Sequence, residues 1–403
     1  MTTSASGSSD AAGHDWRRNQ AAVTIATFIG FTGFTLAMPF LPLYFEQLGV
    51  RGTGALAIWS GVSLGVTPAI TAAMAPVWSR IAERRGRKLM VERSLIAFAI
   101  VMAALGAVRA PWQVLALRAL LGFFAGYGPI ALTMAAESAP PEHMATAIGW
   151  VQTAQRLGPT FGPVIGGALA AALGLRQTFV VSAVLYLGAL VLVFVGYREE
   201  GLRAPAAHDE AAGPPSWRDV RAMPHFLLFL GVIFGLQLVD RSFGPVLPLY
   251  LGQIGTAPER VAFVSGAVFT ITAGAAALGH HVTSRLLRRW RPALVVAPAA
   301  AAAAVGAAIF GLAPPTEILM VGAVIFGAGI GIATTAVYTA AGRAASVSGR
   351  GVVFGYLTTG YLVALAVSPV VAGFVGARSM RAVFFLDGAG LAVMAGLVRR
   401  RMP

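Results

Sequence analysis

Chemistry in this 403-residue chain must come from few groups, because 57% of it is hydrophobic and only 11% is charged. Asp240 and Arg241 stand out first. They are adjacent in QLVDRSFGP, with FLLFLGVIFGL running into that stretch and VLPLYL running out of it. A carboxyl in such surroundings can alternate between protonated and ionised forms, since burial disfavours the charged form and a nearby cation favours it. Two more arginines, Arg118 in LRALLGFFAG and Arg156 in QTAQRLGP, keep equally apolar company. The chain has no cysteine, which excludes disulfides, thiolate catalysis and Cys-ligated metals, and no cluster of His and carboxylates offers a metal site instead. No Walker A sequence is present, so ATP is not the direct energy source. FGAGIG (326–331) lacks the preceding strand of a dinucleotide loop and reads as helix packing.

The elements that must position these charges are membrane spans. Crossing the hydrocarbon core takes about 20 helical apolar residues. Twelve such windows occur, at 22–44, 56–78, 91–108, 112–135, 146–171, 178–197, 225–250, 261–282, 293–313, 317–341, 351–375 and 382–398. The mean hydropathy of +0.74 agrees with an integral membrane protein. Residues 1–16, rich in Ser, Gly, Ala and Asp, have nothing to bury and are expected to be a disordered tail.

A net charge of +14 raises the question of nucleic acid, and the distribution of the 30 Lys and Arg answers it. Six lie in odd-numbered loops (Arg51, Arg109, Arg176, Arg260, Arg378 and Arg381) and three deep within spans (Arg118, Arg156 and Arg241); the rest belong to the termini and the even-numbered loops with their span edges. That asymmetry places both termini in the cytoplasm and leaves no nucleic-acid partner to invoke. An arginine within a span is costly and is expected to face the bundle interior and find a partner.

The chain repeats itself at an offset of 206 residues. MPFLPLYFEQLG (38–49) matches GPVLPLYLGQIG (244–255), and the same offset pairs Gly149 with Gly355, Pro163 with Pro369, Gly167 with Gly373 and Phe179 with Phe385. Two six-helix halves in parallel register follow, 17–197 and 223–403, joined by a polar linker at 198–222. Parallel halves are one plan of secondary transporters, with cargo bound near the midplane. The repeat sets Asp240 against Phe34, ten residues before Tyr250, or about 15 Å along a helix. Adjacent helical residues point about 100° apart, so Asp240 and Arg241 are expected to face different helices unless Pro245 breaks the backbone.

Two motifs carry a family resemblance. In SRIAERRGRK (79–88), Glu83, Arg84, Gly86, Arg87 and Lys88 fit the loop 2–3 signature of the major facilitator superfamily, with Ser79 where the family has Gly and Glu83 where it has Asp. Such charges can bond a neighbouring helix end in one conformation and release it in another, as a conformational latch. GPTFGPVIGG (158–167) resembles the family's helix 5 motif at Gly158, Gly162, Pro163, Gly166 and Gly167. Small residues every fourth position let backbones approach closely. With LRALLGFFAG, the chain is most similar to the twelve-helix drug:proton antiporter-1 branch of bacterial multidrug-resistance efflux transporters.

The resemblance implies an all-α membrane protein of twelve transmembrane helices in two parallel six-helix halves, transporting rather than catalysing. It implies proton-coupled efflux of drug-like or amphipathic small molecules by alternating access, in the bacterial cytoplasmic membrane. The expected partners are the cargo, protons and the lipid bilayer; no cofactor beyond the proton gradient is needed, and the protein is expected to act as a monomer. Helices 1, 4, 7 and 10 would line the cavity, making Phe31, Phe34, Phe124, Tyr127, Phe234, Gln237 and Tyr338 candidates for cargo contact, with Gln152, Gln155 and Arg156 from helix 5. Proton coupling would fall to Asp240, Arg241 and Arg118, which occupies the family's helix 4 arginine position, with Arg118 facing Asp240 across the cavity; Leu121 stands where the family often has Gln. His280 and His281 read as interfacial, and Asp387 as a residue seating the outer end of helix 12 near Arg381. The rival is uptake or exchange of a metabolite (sugar, organic anion or lysolipid), which three cavity arginines against one aspartate would suit. A non-transporting sensor is the remote alternative.

Overall fold

A computed structural model describes residues 7–140, 143–199, 223, 225–344 and 350–402. Among the described residues, twelve long helices follow the twelve predicted windows. The first six are α1 (Gly7–Ala37, continued by a 3-10 turn Met38–Phe40 and a short helix Leu41–Gln47), α2 (Thr53–Arg85), α3 (Arg87–Ala107), α4 (Pro111–Phe124, then Tyr127–Ser138), α5 (Met144–Leu173) and α6 (Leu175–Gly196). The second six are α7 (Phe226–Gln253), α8 (Pro258–Leu286), α9 (Pro292–Gly311), α10 (Thr316–Ala344), α11 (Arg350–Arg378) and α12 (Met380–Arg401). Among the described residues, eleven are long and apolar enough to cross a membrane. The remaining one, α5, is 30 residues long and carries Gln152, Gln155 and Arg156 in its first half.

Two expectations need adjustment. Helix α1 begins at Gly7, inside the stretch 1–16 expected to be a tail, because extending an existing helix costs far less than nucleating one. The linker 198–222 lies outside the described residues beyond Glu199.

The packing repeats with the sequence. In the first half α5 packs on α1, α4 on α2 and α6 on α3; in the second, α11 packs on α7, α10 on α8 and α12 on α9. The halves meet along two seams, α5 against α8 and α2 against α11. The repeated LPLY segment serves as a tether in both. Tyr44 donates its hydroxyl to the Leu105 carbonyl at the end of α3 (2.6 Å), and Tyr250 donates to the Phe310 carbonyl at the end of α9. Pro39 begins a 3-10 break in α1, whereas Pro245 and Pro248 lie within a continuous α7.

Both seams are tight toward one membrane face. We call the membrane face that carries the chain termini the terminal side. On the opposite side, a Cβ added at Gly167 would meet the Ala262 carbonyl at 2.7 Å, and one at Gly373 the Ala57 carbonyl at 2.5 Å. Gly266 abuts the Pro163 carbonyl and Gly61 the Pro369 carbonyl. Val164 N–H donates to Thr270 Oγ1 across the α5–α8 seam at 3.2 Å. Toward the terminal side, Gly149 and Gly355, another repeated pair, face open space with nothing within 4 Å. Along both seams the close glycine contacts lie toward the opposite side.

Candidate functional site

Glycine spacing on α5 sets the depth at which the bundle is rigid. Gly158, Gly162 and Gly166 form one stripe against α1. A Cβ at Gly158 would lie 2.8 Å from Thr32 N, and Gly162 and Gly166 abut Thr35 Oγ1 and the Leu36 carbonyl. Pro163 and Gly167, on the other flank, belong to the seam with α8. The five residues therefore divide between fixing α5 inside its own half and closing it on the other half.

Above that seal, α7 carries the charged pair. Arg241 Nε lies 3.2 Å from Asp240 Oδ2, and the two side chains keep 44% and 21% of their exposure. The expectation that they face different helices is corrected: α7 stays helical through them, and the long arginine side chain folds back to reach its neighbour. Arg241 Nη2 also reaches the Tyr361 hydroxyl on α11 at 3.5 Å. Tyr338 on α10 completes the group, with its ring 6.2 Å from that of Phe354. Tyr361 was not anticipated, and a lone tyrosine in an apolar helix offered no signal in the sequence.

His280 also belongs here rather than only at the interface. Its Nδ1 lies 2.6 Å from Thr335 Oγ1, and it feels the charges of both Arg156 on α5 and Asp240 on α7. Arg156 and Gln152 are exposed. Gln155 instead donates to the Gly128 carbonyl at 2.9 Å, tying α5 to the break in α4.

Arg118 is 1% exposed. Its Nε donates to the Ser63 carbonyl at 2.8 Å, Nη2 reaches the Leu64 carbonyl at 3.5 Å, and Nη1 contacts Met38 Sδ. Thr67 Oγ1 donates back to the Arg118 carbonyl at 2.9 Å. The expected Arg118–Asp240 pairing does not form: among the described residues Asp240 pairs with Arg241, and Arg118 is caged by α2 and the α1 break. A guanidinium can satisfy itself on several carbonyls because its donors form a planar fork. The Phe34 ring centroid lies 6.0 Å from its Cζ, so this cation underlies the residue that the repeat sets opposite Asp240.

The aromatic candidates separate. Phe31 and Phe34 are half-buried on α1 beside Tyr127 and Arg118 respectively. Tyr127 is buried and donates to Thr27 Oγ1 at 3.0 Å, which makes it an α1–α4 strut rather than a cavity wall. The Phe124 carbonyl accepts from Ser94 and Arg93 of α3 at 2.9 and 3.1 Å, and its ring centroid lies 5.7 Å from the Arg93 Cζ, so it packs toward α3. Phe234 is half-buried and Gln237 buried on α7.

The loop 2–3 charges hold the first half to itself. Gly86, at φ +90, breaks α2 from α3. Glu199 accepts from Arg87 N–H at 2.7 Å, Arg87 pairs with Glu137, and Lys88 Nζ donates to the Phe194 and Tyr197 carbonyls at the end of α6, both at 2.8 Å. Cations at a helix C-terminus meet its partial negative charge. Arg84 is exposed, and the Glu83 side chain lies outside the described residues. Asp387, expected to seat the outer end of α12, instead points to α7, with Oδ2 2.5 Å from Ser242 Oγ.

Known proteins share both the fold and the sequence. The pattern of the Major Facilitator Superfamily matches residues 23–317. Multidrug resistance protein MdtG of Dickeya zeae is 38% identical over 266 residues, 65% of this chain and 64% of that protein. MdtG of Salmonella paratyphi A is 37% identical over 268 residues, 66% of this chain and 65% of that one. The match thus spans slightly under two thirds of these relatives' length. Among solved structures, a bacterial homologue of the human lysosomal transporter Spinster, inward-facing and occupied, superposes with a TM-score of 0.75 at 16% identity over 95% of this chain and 96% of that one. The nucleoside transporter NupG gives 0.72 at 14% identity, over 95% and 100%. Twelve helices in two repeated halves, the glycine stripe on α5 and a family match over most of the chain have one reading: the chain belongs to the major facilitator superfamily of membrane transporters.

Proposed function

We propose that this protein exports drug-like, amphipathic molecules across the bacterial cytoplasmic membrane in exchange for protons. The observation that carries this reading is the Asp240–Arg241–Tyr361 group, a partly exposed acid and cation within α7 held to α11. An acid paired with a cation on a helix at the junction of two rocking halves can release its proton on one side of the membrane and regain it on the other. The positive-inside distribution makes the terminal side cytoplasmic, so both termini lie in the cytoplasm and the tight glycine seams lie toward the outer face, an arrangement suited to loading cargo from inside. Half-buried Phe31, Phe34, Phe234 and Tyr338 supply apolar and stacking surface, and similarity to the MdtG proteins supports drugs as cargo. One copy contains the whole apparatus, so the unit of transport is the monomer.

The surplus of exposed cations, Arg156 and Arg241 against Asp240, favours the rival reading of an anionic metabolite. Inverted vesicles with a pH-sensitive dye separate the two. Proton release on addition of lipophilic drugs, abolished by Asp240→Asn, is expected. No response to a broad drug panel together with accumulation of an organic anion would reverse the assignment, and full proton-coupled export by Asp240→Asn would remove Asp240 from the mechanism.

A further inference from the structure

We propose that Asp387 is a second proton-binding site of this protein, carrying its proton in the conformation described and reporting its loss to α7 through Ser242. The inference rests on counting hydrogens. Ser242 Oγ lies 2.8 Å from the Val239 carbonyl and 2.5 Å from Asp387 Oδ2. A hydroxyl has a single hydrogen to donate and can accept others. If Asp387 were ionised, both neighbours of Ser242 would be acceptors and only one contact could hold a proton. With Asp387 protonated, the acid donates to Ser242, which donates to Val239, and both contacts are satisfied. Ser242 is only 4% exposed, so water does not resolve the conflict cheaply.

The surroundings agree. Asp387 makes no ion pair among the described residues, and a carboxylate inside a span without a cation is costly. Of the elements packed on α12, α9 has no titratable side chain. Helix α7 offers Asp240 and Arg241, engaged with each other and Tyr361, and Tyr250, whose hydroxyl is committed to Phe310. Helix α11 contributes Tyr356, Tyr361 and Arg378. On α12 itself Arg399, Arg400 and Arg401 lie at the far end, and Arg381 is six residues away, about 9 Å toward the membrane edge, where it acts on Tyr250.

When Asp387 loses its proton, the Ser242 hydrogen must turn from Val239 to the carboxylate. Val239 and Ser242 bracket Asp240 and Arg241, so the turn of α7 that holds the cavity pair changes its bonding with each proton. The two acids are thereby linked, and by reciprocity each shifts the other's proton affinity.

Infrared difference spectroscopy on the purified full chain in lipid nanodiscs, without cargo or gradient, tests this directly. A protonated-carboxyl C=O stretch is expected near neutral pH. It should vanish in Asp387→Asn, persist in Asp240→Asn and shift in frequency in Ser242→Ala, where the acid loses its acceptor. A band untouched by Asp387→Asn, or no protonated-carboxyl band at neutral pH, overturns the proposal. If Asp387→Asn does not fold, the Ser242→Ala shift decides by itself: an unchanged frequency also overturns it. Because no cargo is present, the outcome stands apart from that of the drug-exchange assay.

Discussion

At midplane depth the first half presents Phe34, with the buried cation of Arg118 beneath it, whereas the second half presents Asp240 paired with a partly exposed Arg241. The same repeat that aligns these unlike residues also aligns Tyr44 with Tyr250, Pro163 with Pro369 and Gly167 with Gly373, and those pairs do the same mechanical work in both halves. Packing was kept in duplicate, while charge was placed once in each half and differently. The first half locks its cation into carbonyls, as a fixed field and a brace on the α1 break. The second keeps its acid and cation partly exposed on α7. Twofold mechanics thus serve a one-sided chemistry.

Asp240→Asn should break that comparison most severely. It makes the two halves equally unable to titrate at midplane and is expected to lower proton-coupled transport by at least about tenfold, a ~1.4 kcal/mol effect or more, measured as cargo-induced pH change in vesicles. Phe34→Leu, the mirror position, should weaken cargo binding and leave the proton response to bound cargo intact. Next comes the packing of α5 on α1. Gly166→Val drives a side chain into the Leu36 carbonyl, and overpacking of this kind costs roughly 1–3 kcal/mol. A lower melting temperature and weakened transport are the expected readouts.

Arg118→Lys should cost about 1–3 kcal/mol of stability, because an ammonium cannot span the Ser63 and Leu64 carbonyls as the fork does. Unfolding in detergent checks it, and an unchanged melting temperature would mean that the brace is unimportant. The smallest effect belongs to Gly149→Ala and Gly355→Ala. Both face open space within helices, so each is expected to be neutral or to stabilise by about 0.4–1 kcal/mol. If either blocked transport while leaving stability intact, the terminal-side ends would close on these glycines in the alternate conformation.

Much of the fold was legible because its signals are local. Twelve apolar windows, the offset repeat and GPTFGPVIGG each follow from a rule about neighbouring residues and lipid. The partners of the charges were not legible. Arg118 was matched to Asp240 because both were charges in spans, yet carbonyls of α2 reached it first. Phe124 and Tyr127 sit on a helix assigned to the cavity, but the break at Gly126, with φ +136, turns them to α3 and α1. Asp387 and His280 were read from their distance to helix ends, and what they touch lies on other helices.

By itself the sequence determined that the chain crosses the membrane repeatedly, which ends are basic, and that two halves share one plan. These depend on the transfer of apolar side chains into lipid and on periodic spacing, both properties of consecutive residues. Only the tertiary structure decided toward which side the seams are tight and what each buried charge holds. A partner for a charge inside a membrane is chosen among groups brought within about 3 Å by helix packing, and residues 55 to 145 positions apart in the chain meet only when the bundle is assembled.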